Sequence, residues 1–337
     1  MNRKKNNGIR NIANIVGVSP ATVSRALNNS GLVSPELQRR IVEASRQLGN
    51  NARNNLQLIA FIVSDENHRM QGYTLRVIEE LRRESAQRGY FWELISADEL
   101  DLLNERSVAG VVSLDYRNRV AEKWSSQSFP LVCINDAARY LDGVYAVYSD
   151  ESSAIEHAVN HLIGFGHRRI GLLQIGRKSA HASRHREEAF FQLGERYRCR
   201  EGFHSEWGCV PVDDATCPTV VDGALDNLLR ERVSAVIIPG ESAVFDLLAA
   251  MKRRNLPIGK RLSVIAWESH AARFLTPPLT TVEQNFSELA RLALDILEAQ
   301  LRHGTMPKNR EVPYLFHLRE SVTVPPGGSK ATPPKKS

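Results

Sequence analysis

The feature that most constrains the fold is an alternation of short apolar runs with amphipathic helical segments, which begins at residue 58. Short apolar runs between helices are typical of parallel strands whose sheet is covered on both faces. About 270 residues of this pattern predict two α/β lobes, each with a parallel sheet. The predicted strands are 58–63, 109–114, 129–134, 145–148, 169–175, 234–239 and 261–267. The predicted helices are 72–88, 99–106, 151–164, 183–196, 242–254 and 286–302.

The first 57 residues follow a purely helical pattern instead. In GVSPATVSRALN (17–28), a Gly-Val-Ser turn ends one short helix, and Ser19 and Pro20 suit the cap and first turn of a second. A third helix is predicted in SPELQRRIVEASRQLG (34–49), which completes a three-helix unit over 8–49. The apolar residues that recur at helical spacing and can form a small core are Ile12, Val16, Val18, Val23 and Leu27.

The basic charge of the chain is concentrated in this N-terminal segment. Residues 1–57 contain nine Lys or Arg side chains against two Glu side chains, whereas the whole chain has a formal net charge of +6. A compact basic module attached to a mildly acidic body is typical of proteins that contact the phosphate backbone of DNA. We therefore predict a DNA-binding headpiece with a short linker at 1–57, a two-lobed domain at 58–324 and a disordered Pro/Lys tail at 325–337.

Several stretches of the chain resemble the lactose/galactose repressor family (LacI/GalR). GVSPATVSRALN followed by SPELQRRIVEASRQLG resembles the helix-turn-helix headpiece of that family. AVNHLIGFGHRRIGLL, SRHREEAF, RLSVIAW and PPLTTVEQNF resemble four later family segments, in the same order. The resemblance spans about residues 8–322. It implies a dimeric transcription regulator with a three-helix headpiece and a two-lobed α/β ligand domain like that of periplasmic binding proteins.

The resemblance further implies that the second helix enters the major groove of double-stranded DNA. Arg25 could donate two hydrogen bonds to a guanine, while Thr22 and Ser24 could reach phosphate or base edges. One such guanine contact discriminates by about 1 to 3 kcal/mol, so two headpieces are needed, which predicts a homodimer on a palindromic operator. The residues expected to face the DNA are Ser19, Pro20, Ala21, Thr22, Ser24, Arg25 and Asn28.

The linker departs from the family pattern. Family members usually carry a hinge helix at this place, which folds on DNA and inserts a Leu into the minor groove. Here NNARNNLQ (50–57) is about half as long. Arg53 and Leu56 are the candidate hinge residues, and Leu56 is either a wedge in the minor groove or the start of the first strand. A missing hinge helix would place the coupling between ligand and DNA in doubt.

The resemblance also implies a small-molecule effector, a sugar or sugar derivative, in the cleft between the lobes. Arg186 could hold a hydroxyl pair or a carboxylate, Trp267 could stack on a sugar face, and Glu268 suits a polyol. Asp150 either contributes to this cleft or only complements the dipole of the helix that follows it. Gly240 and Glu241 stand where the family commonly has Asn-Asp, so another metabolite or no effector at all stays open. The expected ligand residues are Asp65, Tyr73, Asp150, Arg186, Gly240, Glu241, Trp267, Glu268 and Gln284.

Other patterns do not predict a site. GFGHRRIG (164–171) contains G-x-G but precedes a strand, which favours a helix C-cap and turn over a dinucleotide-binding loop. His181 and His185 are four residues apart with no third ligand nearby in sequence, so we expect neither a metal nor a cofactor. The absence of nucleophile, P-loop and zinc-protease motifs predicts a protein that is not an enzyme. Without a signal peptide or an apolar run of about 18 residues, we expect a cytoplasmic protein with no membrane partner.

The sequence therefore predicts a ligand-responsive DNA-binding transcription regulator that acts as a repressor. One alternative is a constitutive DNA-binding regulator with a decayed ligand cleft, which the short linker and Gly240-Glu241 favour. A second alternative is a sugar-binding or sugar-converting protein, which the basic headpiece disfavours.

Overall fold

The chain divides into two compact units. Unit 1 consists of Met1–Tyr148 and Phe286–Arg310, and unit 2 of Ser149–Asn285 and Glu311–Ser337, so the chain passes between the units three times. This division does not bear on the boundaries expected after residues 57 and 324, which stay predictions. The structure is a computed structural model, and it describes residues 3–27, 33–47, 58–64, 72–105, 108–115, 117–124, 130–135, 137–175, 181–198, 208–212, 218–267, 270–302 and 309–327.

Helices and strands alternate from residue 58 onward, as the sequence predicts. Each predicted strand is present with its ends shifted by at most two residues. The helices are α1 (Arg3–Val16), α2 (Pro20–Leu27), α3 (Pro35–Gln47), α4 (Tyr73–Gln87), α5 (Leu102–Glu105), α6 (Arg119–Trp124), α7 (Glu151–Gly164), α8 (His181–Arg198), α9 (Pro218–Arg230), α10 (Glu241–Arg253) and α11 (Phe286–Leu301). The strands are β1 (Leu58–Val63), β2 (Phe91–Ser96), β3 (Gly110–Ser113), β4 (Leu131–Ile134), β5 (Tyr145–Tyr148), β6 (Ile170–Ile175), β7 (Gly208–Val212), β8 (Ala235–Ile238), β9 (Ser263–Trp267), β10 (Thr280–Glu283), β11 (Asn309–Glu311) and β12 (Leu315–His317).

Several elements were not predicted from the sequence: β2, β7, α6, α9 and the short strands β10 to β12. In β2 the first two side chains, Phe91 and Trp92, are 69% and 39% exposed, so the strand lacks the continuous apolar run of a buried strand. β7 contains Pro211, which is tolerated because this strand lies at the edge of its sheet. Gly223 lies in the middle of α9 and weakens its helical signal.

The headpiece is a three-helix unit with its own small core. The turn after α1 places Gly17 at φ 78°, and the amides of Gly17 and Val18 both donate to the carbonyl of Ala13, at 2.9 and 3.0 Å. This is the helix end that the Gly-Val-Ser stretch predicts. The buried core residues are Ile12, Ala13, Val16, Val23, Ala26, Ile41 and Ala44, with Ile9, Val18, Val33 and Leu37 partly buried around them.

Each unit contains a sheet with the same strand order. The orders are β2-β1-β3-β4-β5-β11 in unit 1 and β7-β6-β8-β9-β10-β12 in unit 2. The first five strands of each sheet pair in parallel, with Ile59 opposite Gly110 in one sheet and Ile237 opposite Ile265 in the other. β12 runs antiparallel to β10. Parallel sheets and an α/β fold are therefore confirmed. In such sheets the carboxyl ends of the strands form the ligand-binding edge.

Helix α11 closes one face of the sheet of unit 1. Leu297 packs so closely on Gly110 in β3 that an added Cβ there would lie 2.7 Å from Leu297 Cδ1. The side chain of Gln300 exchanges hydrogen bonds with the backbone of Leu131 in β4, at 3.3 and 3.2 Å. Arg88, next to α4, pairs with Asp295 of α11 at 2.9 Å. Residues that follow 285 in the chain thus complete a unit that begins at residue 1.

The sheet of unit 2 is covered on both faces. Along β8, Ala235 and Ile237 pack with side chains of α7 and α8, whereas Val236 and Ile238 pack with side chains of α9 and α10. This alternation is the two-residue period of a strand with two buried faces. Trp267, at the end of β9, belongs to the cluster on the α7 and α8 side.

Candidate functional site

The N terminus of α2 is organised by its first residues. Ser19 Oγ accepts a hydrogen bond from the amide of Thr22 at 3.0 Å and lies 2.8 Å from Thr22 Oγ1. This is the side-chain cap that the Ser-Pro pair predicts. Because Val23 and Ala26 are buried in the headpiece core, the opposite face of the helix is presented to solvent. Ser19, Pro20, Ala21 and Arg25 are exposed, and Thr22 and Ser24 are half-buried.

Helix α3 fixes α2 in the headpiece. Gln38 in α3 donates from Nε2 to the carbonyl of Ala26 in α2 at 3.2 Å. Ser34 caps α3 through a hydrogen bond from the amide of Leu37 at 3.4 Å. Arg10 and Arg40, on α1 and α3, are exposed like Arg25, so each helix of the headpiece presents a basic side chain. A phosphate backbone is attracted by such a surface.

Five of the predicted site residues lie outside the described residues and keep the status of predictions. They are Asn28, the hinge candidates Arg53 and Leu56, and the ligand candidates Asp65 and Glu268.

Tyr73 is a ligand candidate that belongs to unit 1. It begins α4, and its ring centroid lies 5.7 Å from that of Phe286 at the start of α11. The guanidinium of Arg76 lies over the same Phe286 ring, 4.8 Å from its centroid. These contacts give Tyr73 a packing role in unit 1, and its ligand contact stays a prediction.

Three ligand candidates of unit 2 lie at the carboxyl ends of neighbouring parallel strands. Gly240 follows β8 and is the N-cap residue of α10, with φ 155°. Trp267 ends β9, and Gln284, which is half-buried, follows β10. Parallel strands end at the same edge, so the topology places all three along one edge of the sheet. Glu241 is the first residue of α10, and its side chain is outside the description.

Arg186 faces a carboxylate within unit 2. Arg186 in α8 lies with Nη1 3.6 Å from Oε2 of Glu151, the first residue of α7. The two side chains are only 14% and 7% exposed. The neighbouring Asp150 is the N-cap of α7, because its Oδ1 accepts a hydrogen bond from the amide of Ser152 at 3.0 Å. The acidic partner of Arg186 is therefore Glu151, which is not among the residues that the sequence predicts for the ligand site.

Trp267 is a core side chain of unit 2. It is 2% exposed, and its ring meets that of Tyr314 edge-on with centroids 5.9 Å apart. Within the described part of the chain, Trp267 Nε1, Arg186 Nε and Ser149 Oγ are buried without a hydrogen-bond partner. Burying such groups unpaired costs free energy, which a bound polar ligand can offset. Stacking of Trp267 on a sugar stays a prediction.

The Gly-Phe-Gly-His stretch ends α7, as predicted. Gly166 has φ 91°, and the amides of Gly166 and His167 donate to the carbonyls of Ile163 and Leu162 at 2.9 and 3.1 Å. His167, which the sequence reasoning passed over, is 1% exposed. Its Nδ1 lies 2.8 Å from Ser234 Oγ and its Nε2 lies 2.8 Å from the carbonyl of Thr323. Burial lowers the pKa of His167 to about 4, so the ring is neutral near pH 7 and Nε2–H donates to Thr323.

The described residues form neither a metal-binding cluster nor a membrane-spanning helix. No group of three His, Cys, Asp or Glu side chains in the described ranges is arranged to hold a metal ion. None of the described helices combines the length and hydrophobicity that a bilayer crossing requires.

Comparisons with known proteins agree with this architecture. The family described as "Bacterial regulatory proteins, lacI family" matches residues 8–50, and "Periplasmic binding protein-like domain" matches residues 159–322. The HTH-type transcriptional repressor PurR of Actinobacillus pleuropneumoniae serotype 5b is 25% identical over 315 residues, which cover 87% of this chain and 91% of that protein.

Solved structures share the fold. The Lac repressor dimer bound to operator and the anti-inducer ONPF superposes with a TM-score of 0.67 at 18% identity, over 93% of this chain and 98% of that chain. The transcriptional regulator CelR in complex with cellobiose superposes with a TM-score of 0.62 at 22% identity, over 93% of this chain and 99% of that one.

Proposed function

The chain belongs to the lacI family of bacterial regulatory proteins, and we propose that it acts as a homodimeric repressor that binds a palindromic operator under the control of a small, sugar-like metabolite. Family membership makes the chain a DNA-binding transcription regulator and not an enzyme. The homodimer, the palindrome, the metabolite and a cytoplasmic location are parts of the proposal.

The observation that carries the proposal is the outward face of α2. Ser19 caps the helix, Val23 anchors it in the headpiece core, and Arg25 is exposed on the opposite side. A short capped helix with small polar side chains and one arginine matches what a recognition helix needs for close approach to base edges.

Exposed apolar side chains support self-association. Large apolar side chains at the surface, where they form patches, mark interaction sites. The edge strand β2 exposes Phe91 and Trp92, and an edge strand also presents unpaired backbone groups to a partner. In unit 2, Phe245 and Phe274 are 41% and 71% exposed. The Lac repressor with a similar fold is a dimer on its operator.

The Arg186–Glu151 pair supports an effector site in unit 2. The pair is buried, and Arg186 Nε has no hydrogen-bond partner among the described residues, so the guanidinium keeps a donor for the hydroxyl groups of a small molecule. A protein with the same fold, CelR, is known in complex with cellobiose.

A constitutive regulator with a decayed cleft is the second candidate function. Trp267 is already packed in the core, and Gly240 supplies no side chain where the family commonly has Asn. A chain whose operator affinity is unchanged by every compound of a sugar and nucleoside panel would be this regulator.

Affinity for DNA is expected to fall steeply with salt. Each phosphate contact lowers the logarithm of the association constant by about 0.9 per unit of log salt concentration. The slope is measured for the full chain by fluorescence anisotropy of a labelled duplex at roughly 50 and roughly 200 mM salt, since a protein with several phosphate contacts loses much of its affinity over this range. Affinity that does not change with salt would favour the sugar-binding alternative and contradict the proposal.

Phe91→Glu is expected to shift the chain from dimer towards monomer. A charge on the exposed edge strand β2 opposes the burial of an apolar interface. Analytical ultracentrifugation measures the change, and operator affinity should fall with it. Leu318→Glu, an equally drastic change at a 61% exposed apolar residue of unit 2, is the matched control and should leave the mass unchanged. An unchanged dimer in the Phe91 variant would exclude β2 from the interface.

A further inference from the structure

We propose that Glu151 determines the charge class of the effector: it neutralises Arg186, so that the site takes an uncharged, hydroxyl-bearing molecule and rejects its phosphorylated or carboxylated counterparts. The inference rests on the proposed function, because it takes Arg186 as a contact of the effector. Glu151 is then a specificity-determining residue.

The spacing of the pair is the first argument. Arg186 Nη1 and Glu151 Oε2 are 3.6 Å apart, which is beyond hydrogen-bond distance but close enough for strong charge interaction in a buried place. Arg186 Nε has no hydrogen-bond partner among the described residues. The guanidinium therefore keeps donor capacity for a ligand while its charge is already compensated.

A second ion pair links α7 and α8, and its geometry differs from that of Arg186 and Glu151. Arg196 in α8 donates from Nη1 to Glu156 Oε1 in α7 at 2.9 Å, and these side chains are 58% and 45% exposed. This outer pair is a closed surface ion pair. The inner pair of Arg186 and Glu151 is more buried, and its charged atoms are farther apart, at 3.6 Å against 2.9 Å. A merely structural link between α7 and α8 is expected to be closed in both places, since a buried ion pair is favourable only with good hydrogen-bond geometry.

The chemistry of the two groups selects the ligand. A hydroxyl group can accept a hydrogen bond from the guanidinium and donate one to the carboxylate at the same time. A phosphate or carboxylate group only accepts, and it would bring a second negative charge beside Glu151. Repulsion between like charges in a buried site is strong, since little water screens it.

Uncharged buried donors also favour an uncharged ligand. Ser149 Oγ, two residues before Glu151, and Trp267 Nε1, on the sheet face covered by α7 and α8, are buried and have no hydrogen-bond partner in the described part of the chain. Both are uncharged donors. They suit the hydroxyl or carbonyl oxygens of a free sugar or a nucleoside, and they add no charge to offset an anion.

The test compares matched pairs of compounds on the full chain. Titration calorimetry and thermal shift are run with glucose and glucose 6-phosphate, fructose and fructose 1-phosphate, ribose and ribose 5-phosphate, guanosine and its monophosphate, and with inorganic phosphate. We expect the uncharged compound of each pair to bind, and its phosphorylated counterpart to bind at least about tenfold more weakly.

The variant Glu151→Gln should lower this preference at least about tenfold and allow binding of phosphate-bearing compounds. Glu156→Gln, in the outer pair, should change nothing.

Three outcomes would overturn the inference. They are a phosphorylated compound that binds the unaltered chain as tightly as its uncharged partner, an unchanged preference in Glu151→Gln, and no binding by any compound while specific DNA binding persists. The preference of the unaltered chain for uncharged compounds tests the inference even where Glu151→Gln does not fold. Glu151→Asp keeps the negative charge and should therefore keep this preference. Loss of specific DNA binding in the unaltered chain would instead refute the proposed function itself.

Discussion

An Arg25→Ala variant is expected to lose between roughly 30-fold and roughly 20,000-fold of its affinity for the operator, if two headpieces each make one bidentate guanine contact. Such a contact discriminates by about 1 to 3 kcal/mol per site, and each 1.4 kcal/mol corresponds to a factor of about ten. The operator is the duplex that the unaltered chain selects from a random pool. Arg25 lies on the exposed face of α2, so its truncation leaves the headpiece core of Val23 and Ala26 intact.

The matched control for this variant is Arg40→Ala. Arg40 is exposed on α3, so its loss should weaken binding to selected and to random duplexes alike, as a phosphate contact does. Arg25→Ala should instead reduce the ratio of the two affinities. If Arg25→Ala, like Arg40→Ala, lowers the affinity for the selected duplex and for random duplexes by the same factor, Arg25 does not read bases and α2 is not the recognition helix.

Acid is expected to destabilise unit 2 through His167. Burial, together with the positive charges of Arg168 and His161, lowers the pKa of the folded state to about 4, against about 6.5 for an unfolded chain. Between these values the unfolded state binds a proton that the folded state does not. The free energy of unfolding therefore falls as pH is lowered through this window, by about 2 kcal/mol between pH 7.5 and pH 5.

The variant His167→Gln measures this contribution. Glutamine can still donate towards Thr323 but does not titrate, so its stability should fall less between pH 7.5 and pH 5 than that of the unaltered chain. Equilibrium unfolding in urea at pH 7.5, 6 and 5 gives the difference. His157→Gln, at an exposed histidine of α7, should retain the full pH dependence. Equal pH dependence in the His167 variant and the unaltered chain would show that His167 is not neutral in the folded state.

Local patterns in the sequence were sufficient to predict most of the central strands and the helices beside them. β1 and β8 were predicted because both of their faces are buried, which gives an uninterrupted apolar run. The cap of α2 was predicted because Ser19, a favoured cap residue, directly precedes Pro20, and a helix cap depends on the local chain alone. β2 was missed since it is an edge strand with Phe91 exposed, so burial leaves no regular pattern in it.

The proposed effector site depends on contacts that the sequence alone does not predict. Arg186 was selected through the resemblance of SRHREEAF to a family segment. Its pairing with Glu151 depends on how α7 packs against α8, and residues of two different helices are brought together by tertiary packing, which no local pattern encodes. The burial of Trp267 has the same origin, since the cluster around its ring is drawn from α7, α8 and several strands.

The threefold passage of the chain between the units has a consequence for biosynthesis. A ribosome releases the N terminus first, yet unit 1 lacks α11 and β11 until the residues up to Arg310 have emerged. Until then Gly110 and Leu131 lack Leu297 and Gln300, and the part of the unit 1 sheet that α11 covers, over β3 and β4, stays exposed. Domains usually fold in order of synthesis, but here the earlier unit has to wait for most of the later one. A nascent chain can thus complete the unit that carries its headpiece only near the end of translation.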